Sequence, residues 1–100
     1  MLEKNIEKFL LDNVKSLGGR CYKFLSPGNS GVPDRIVFLP GGKIYFVELK
    51  VDGGEPRKLQ KVQIRRLKNL GQDVRVLCGL EEVKDFLNEI KGEINGKNGN

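Results

Sequence analysis

Residues 36–39, IVFL, and residues 44–47, IYFV, are separated only by the short stretch PGGK. Two continuously apolar runs this close together are predicted to be the strands "DRIVFL" and "KIYFVELK" of an antiparallel hairpin, turning through "PGG". Apolarity that is continuous rather than alternating further predicts that both faces are covered, with helices packed on central strands. Both runs nevertheless finish in charge: Asp34 opens the first, and Glu48 and Lys50 close the second.

The rest of the chain supplies the covering elements. Leu2, Ile6, Phe9, Leu10, Val14 and Leu17 recur at three and four, which marks an amphipathic helix ended by Gly18 and Gly19. "RCYKFLS" reads as a strand and "PGNSGVP" as a loop. A second helix is predicted from about Arg57 to Leu70, with Pro56 at its start and Gly71 after its end. "VRVLCG" is a fourth strand. "LEEVKDFLNEIK" is a third helix with Leu80, Val83, Phe86, Leu87 and Ile90 inward, which places a single domain over residues 1–91. Residues 92–100, "GEINGKNGN", read as a polar, disordered tail. The αβββαβ(α) order predicts an α/β fold, a mixed central sheet of about four strands flanked by helices.

At 100 residues and 38% hydrophobic content there is room for one core. No apolar run approaches the ~20 residues that span a bilayer, and "MLEKNIEKFL" mixes charges where a signal peptide is apolar, so a soluble, intracellular protein is expected. With no histidine, and with Cys21 and Cys78 far apart in apolar segments, zinc-finger and histidine-based chemistry are excluded; the thiols read as core residues. The formal charge of +5 favours polyanionic partners without specifying one.

Residues two apart on a strand share a face, so Glu48 and Lys50 point the same way as Ile44 and Phe46. A carboxylate and an ammonium at the end of a dry sheet must be matched by each other, by water or by a metal. One reading is a structural ion pair. The other is chemical: Asp34 and Glu48 would hold a divalent ion such as Mg²⁺, and Lys50 would position water or stabilise developing anionic charge. Glu-x-Lys also occurs at Glu82/Lys84 and Glu89/Lys91, but in a helix, where residues two apart diverge. Only Glu48/Lys50 sits on an apolar strand with an acid at the near end of its neighbour.

Taken jointly, "GVPDR" with Asp34, "VELK" with Glu48 and Lys50, and the downstream "LQ" with Gln60 resemble the VRR-NUC domain, a branch of the PD-(D/E)XK nuclease superfamily, in the family's order. The resemblance implies a restriction-endonuclease-like core, with Asp34, Glu48 and the Leu49 carbonyl as metal ligands for Mg²⁺ or Mn²⁺. It also implies that Lys50 is the catalytic lysine and that Gln60 lies near the site. A first-helix glutamate is implied as well, which could be Glu7 or Glu3. Small stand-alone members look like homodimers acting on branched or Holliday-junction DNA, which implies a cytoplasmic setting in a bacterial or phage-infected cell. A shared ion makes a geometric demand: Asp34 must stand opposite Glu48, which pairs Leu39 with Lys43 and leaves "PGG" as a three-residue loop. A two-residue Gly41-Gly42 turn would send the carboxylates to opposite faces.

Winding the second helix places Arg57, Lys58, Lys61, Arg65 and Lys68 on one side and Leu59, Val62, Leu67 and Leu70 on the other. The basic stripe suits a phosphate backbone, although many such stripes are only solvated. Gln63 and Arg66 fall among the apolar positions and are expected to be satisfied polar residues. A non-catalytic nucleic-acid-binding module would keep the stripe without needing the three strand-end charges, and a structural domain would use them as an ion pair.

Overall fold

The structure is a computed structural model that describes residues 2–98. Its elements run α1 (Glu3–Ser16), β1 (Arg20–Lys23), β2 (Arg35–Phe38), β3 (Ile44–Lys50), α2 (Lys58–Asn69), β4 (Val74–Cys78) and α3 (Gly79–Asn98). The four strands form one sheet in the order β1-β2-β3-β4. β1, β2 and β3 are antiparallel neighbours, and β4 joins β3 in parallel through the crossover helix α2.

The hairpin has the register that the paired acids require. Arg35 faces Val47 and Phe38 faces Ile44, and the Leu39 amide donates to the Lys43 carbonyl at 2.9 Å. Pro40, Gly41 and Gly42 are thus the three-residue loop, and both glycines take φ near +85° to +88°, where a side chain would be strained. One position beyond the Arg35–Val47 pair, Asp34 falls opposite Glu48.

One face of the sheet carries Cys21, Val37, Leu39, Tyr45, Val47, Leu49 and Leu77. Ile6, Leu10 and Val14 of α1 close over it together with Val83, Phe86, Leu87 and Ile90 of α3. Fully burying each of these aliphatic side chains is worth ~1.5–3 kcal/mol, so this layer dominates the stability of the fold. Arg35 lies on the same face, buried, where its guanidinium pairs with Glu7 of α1.

Three expectations are corrected. The opposite face is not fully covered: α2 packs over β4, and Phe38 and Ile44 remain 37% and 41% exposed. Continuous apolarity predicts cover on both faces, but a folded surface is itself in large part apolar, and these two residues stay partly open. Secondly, α2 turns Gln60 and Ile64 inward, while Leu59, Val62 and Leu70 are exposed and Leu67 is only partly covered. With Gln60 on Glu48 and Ile64 turned inward, 3.6-residue winding carries those apolar residues outward. Thirdly, α3 does not stop at Lys91 but runs to Asn98, so residues 92–98 are helical; residues 99–100 lie outside the described residues. Ile94 packs on the core beyond Ile90, and Glu93 accepts a 2.6 Å hydrogen bond from the Tyr45 hydroxyl. Both thiols are free; Cys21 is buried and Cys78 half-buried.

Candidate active site at the end of the hairpin

The hairpin register brings Asp34 and Glu48 together, and the backbone locks them. The Leu49 amide donates to Asp34 Oδ2 at 3.1 Å, and the Asp34 amide donates to Glu48 Oε1 at 3.2 Å. Each acid therefore accepts from the other's strand, a reciprocal clasp that only a one-to-one register allows. Asp34 itself is exposed, whereas Glu48 retains 1% of its surface.

The second oxygen of Glu48 is held from two directions. Lys50 Nζ lies 3.2 Å from Glu48 Oε2, on the same strand face. Gln60 Nε2, in the first turn of α2, donates to that oxygen at 2.7 Å. The Gln60 amide cannot turn round, because its Oε1 accepts the Arg57 backbone N–H at 2.8 Å. One buried side chain thus satisfies the start of α2 and presents a donor to the carboxylate.

Burial, and then the adjacent charge of Asp34, push the Glu48 carboxyl above the ordinary glutamate range; Lys50 opposes this without cancelling it. Two carboxylates against one ammonium leave a local excess of negative charge at oxygen donors. That donor set fits a hard divalent cation taking one or two carboxylates, with water and phosphate in its remaining positions. Among the described residues no group of three acidic or sulfur side chains converges, so the protein offers a partial shell rather than a closed cage.

Asp34, Glu48, Lys50 and Gln60, expected from the sequence as site residues, are assembled, with Leu49 between the acid and the lysine. Glu7 is not drawn into this cluster, since its carboxylate pairs with Arg35 on the other face, and Glu3 lies exposed in the first turn of α1. Arg35 was not anticipated. Its signal was strand parity: a cation two residues before Val37 points into the core and must find an acid there.

The segment 26–33 leans on the start of α2. Gln63 donates to the Ser30 carbonyl at 3.3 Å, and Gly31, at φ +89°, approaches so closely that a Cβ there would stand 2.7 Å from the Leu59 carbonyl. Between them lies a cavity of about 370 Å³ lined by Ser30, Gly31, Arg57, Lys58 and Leu59. Lys61, Arg65 and Lys68 instead border a cavity of about 360 Å³ between α2 and β4. All five cations are exposed; Lys61 also reaches Glu55 at 3.7 Å.

The chain resembles known proteins in sequence and in fold. No protein-family model matches the chain. A protein of Acyrthosiphon pisum secondary endosymbiont phage 1, provisionally named nuclease p44, is 52% identical over 75 residues, which are 75% of this chain and 81% of that protein. A solved structure described as a VRR_NUC domain superposes with a TM-score of 0.82 at 31% identity, over 86% of this chain and 94% of its own. A second, a VRR_NUC domain protein, shares the fold with a TM-score of 0.70 at 17% identity, over 89% of this chain and 87% of its own. The αβββαβα arrangement is that of a nuclease fold. The chain belongs to the VRR-NUC nuclease family. No helix among the described residues is long and apolar enough to cross a membrane.

Proposed function

We propose that this protein is a divalent-metal-dependent endodeoxyribonuclease that hydrolyses phosphodiester bonds in branched DNA, four-way junctions included, and acts as a homodimer in the cytoplasm of a bacterial or phage-infected cell. The observation that carries the reading is the clasp of Asp34 and Glu48 with Lys50 and Gln60 at its edge. A structural ion pair would match one acid with one base. Here a second carboxylate is added beside a buried one, which raises the cost of the site unless a cation is bound.

Asp34, Glu48 and the Leu49 carbonyl would hold Mg²⁺ or Mn²⁺, which when bound polarises a phosphoryl oxygen and lowers the pKa of water. The protein's own groups do the rest. Lys50, anchored on Glu48 Oε2, holds the attacking water by hydrogen bonding and meets the negative charge that develops as the water oxygen bonds phosphorus and the ester oxygen departs. Gln60 orients Glu48 by donating to its Oε2. Glu7 lies on the other face of the sheet, where it neutralises Arg35. Arg57, Lys58, Lys61, Arg65 and Lys68 carry the phosphate backbone across α2.

The test is cleavage of linear, flapped and four-way-junction DNA with Mg²⁺ or Mn²⁺ by the parent chain, Lys50→Ala and Glu48→Gln. The expected result is a junction preference in the parent and at least a ~100-fold loss in each variant. Equal cleavage by all three proteins refutes the site. DNA binding without cleavage in any metal replaces the reading with a non-catalytic binding module.

A further inference from the structure

Strand β4 ends the sheet: β3 pairs with one side of it, and among the described residues nothing pairs with the other. The Phe46 amide donates to the Asp73 carbonyl at 2.8 Å, so Asp73, Arg75 and Leu77 turn their backbone groups toward β3. Those of Val74 and Val76 therefore point away, into the open edge. The Cys78 amide points the same way but is taken by Glu82 Oε1 at 2.9 Å, which closes the edge at that end.

Val76 lines a cavity on each side of this edge. Toward α2 lies the cavity of about 360 Å³, apolar at Pro56 and Ile64 and rimmed by Lys61, Arg65 and Lys68. Toward α3 lies one of about 270 Å³, where Glu82, Asp85 and Glu89 stand around Arg75 and Phe86. The Arg75 guanidinium is already held by Asp73 and by Glu89, at 2.7 Å each, so it does not offset Glu82 and Asp85. A basic cavity and an acidic one thus meet at a single edge residue.

We infer that the β4 edge docks an extended segment of a partner protein in which acidic and basic residues alternate, the acids lying toward α2 and the bases toward α3. An open edge supplies main-chain hydrogen bonds to an added strand, and alternate side chains of that strand fall on opposite faces, one set into each cavity. Charge complementarity selects the occupant. A second copy of this chain would pair antiparallel about a two-fold axis, setting Lys61, Arg65 and Lys68 against the same three residues and Glu82 with Asp85 against theirs. Like charges would then face each other on both sides of the seam. A nucleic acid would satisfy the cations of α2 but meet the carboxylates of α3, and it brings no strand to the amides of Val74 and Val76. A segment of alternating charge satisfies both cavities and the backbone together.

The acids of such a segment sit on Lys61, Arg65 and Lys68, cations assigned above to DNA. Docking and DNA binding therefore exclude each other, and the partner acts as an inhibitor. That consequence rests on the nuclease reading, whereas the docking itself does not.

The experiment is fluorescence anisotropy of a labelled octapeptide of alternating glutamate and lysine with the full chain, in the absence of metal. The comparison peptides have the same composition in two blocks, or glutamate throughout. Val76→Pro removes an outward amide and Asp85→Lys reverses the α3 side, with circular dichroism to confirm folding. The expected result is that the alternating peptide binds at least ~10-fold more tightly than the blocked one, slows hydrogen exchange at the Val74 and Val76 amides, and is displaced by four-way-junction DNA. Asp85→Lys should weaken the alternating peptide by about 10-fold without weakening the all-glutamate one. No binding up to ~1 mM, equal binding of all three peptides, or unslowed Val74 and Val76 amides overturns the inference. So does a parent dimer that Val76→Pro dissociates, which assigns the edge to a second copy. Simultaneous binding of peptide and DNA overturns the inhibition and leaves the docking site standing. A chain that binds the peptide but cleaves no DNA in any metal loses the nuclease reading alone.

Discussion

Gln60→Leu removes the side chain that, among the described residues, joins α2 to the carboxylate cluster, while keeping roughly its size. In the parent, Gln60 Nε2 donates to Glu48 Oε2 at 2.7 Å and Oε1 accepts the Arg57 N–H at 2.8 Å. A hydrogen bond to a charged acceptor is worth ~1.5–3 kcal/mol, and loss of a helix-start cap ~0.5–2 kcal/mol. Leucine recovers part of this through apolar burial, so a net loss of about 2–4 kcal/mol is expected at pH 7. That is a large share of the ~5–15 kcal/mol typical of a domain, yet it leaves the variant folded. With ~1–3 kcal/mol per molar of urea, the unfolding midpoint should fall by roughly 1–3 M with little change in slope. The loss should shrink in acid, because the donor stabilises only the ionised form of Glu48. Gln60→Glu sharpens the point: it keeps an acceptor for Arg57 but sets a third carboxylate beside Glu48 and Asp34, so the variant should be more stable at pH 5 than at pH 7. A Gln60→Leu loss below about 0.5 kcal/mol, or one indifferent to pH, would show that Glu48 does not depend on Gln60.

The Glu48 carboxyl is raised above its ordinary value of 4.5 by burial and then by Asp34, so its protonated form is favoured by folding. Its contribution to stability is therefore fully present below pH 4.5 and lost as pH rises through the higher folded value; Glu48→Gln should flatten that decline in thermal melts taken across pH. Mg²⁺ at ten times its dissociation constant should raise the parent's Tm by about 6–11 °C, and the same rise in Glu48→Gln would remove Glu48 from the metal site. Gly31→Ala combines positive φ with a Cβ 2.7 Å from Leu59 backbone, whereas Gly28→Ala has positive φ and open space. The first should cost ~2–4 kcal/mol and the second about 1, and equal costs in chemical denaturation would mean that segment 26–33 does not bear on α2.

What could be read from the chain depended on which force decided each element. The hairpin register was legible only through the demand of the family resemblance that Asp34 and Glu48 share a face, since "PGG" alone allows a two-residue or a three-residue turn. The orientation of α2 was not, because hydrophobic periodicity favoured Leu59, Val62 and Leu70 inward. Instead the buried side of α2 carries Gln60, bonded to Glu48, and Ile64. The end of α3 was hidden by composition: "GEINGKN" reads as polar, and only the tertiary partners of Ile94 and Glu93 make it helix. The uncovered rows of Phe38 and Ile44 were misread for a different reason. Apolar residues near the end of a hairpin can stay partly exposed, because a folded surface is itself in large part apolar. Arg35 and Glu7 were each legible as charges, but their pairing needs the packing of α1 on the sheet.

The loop between β2 and β3 holds no functional group, yet it behaves as a parity bit for the enzyme. Deleting Gly41 alone would shift the pairing by one, turn Asp34 and Glu48 to opposite sides of the sheet, and silence the protein with every site residue still in the sequence. Changes of two residues keep the parity, so tolerated length variants of this loop should differ by even numbers.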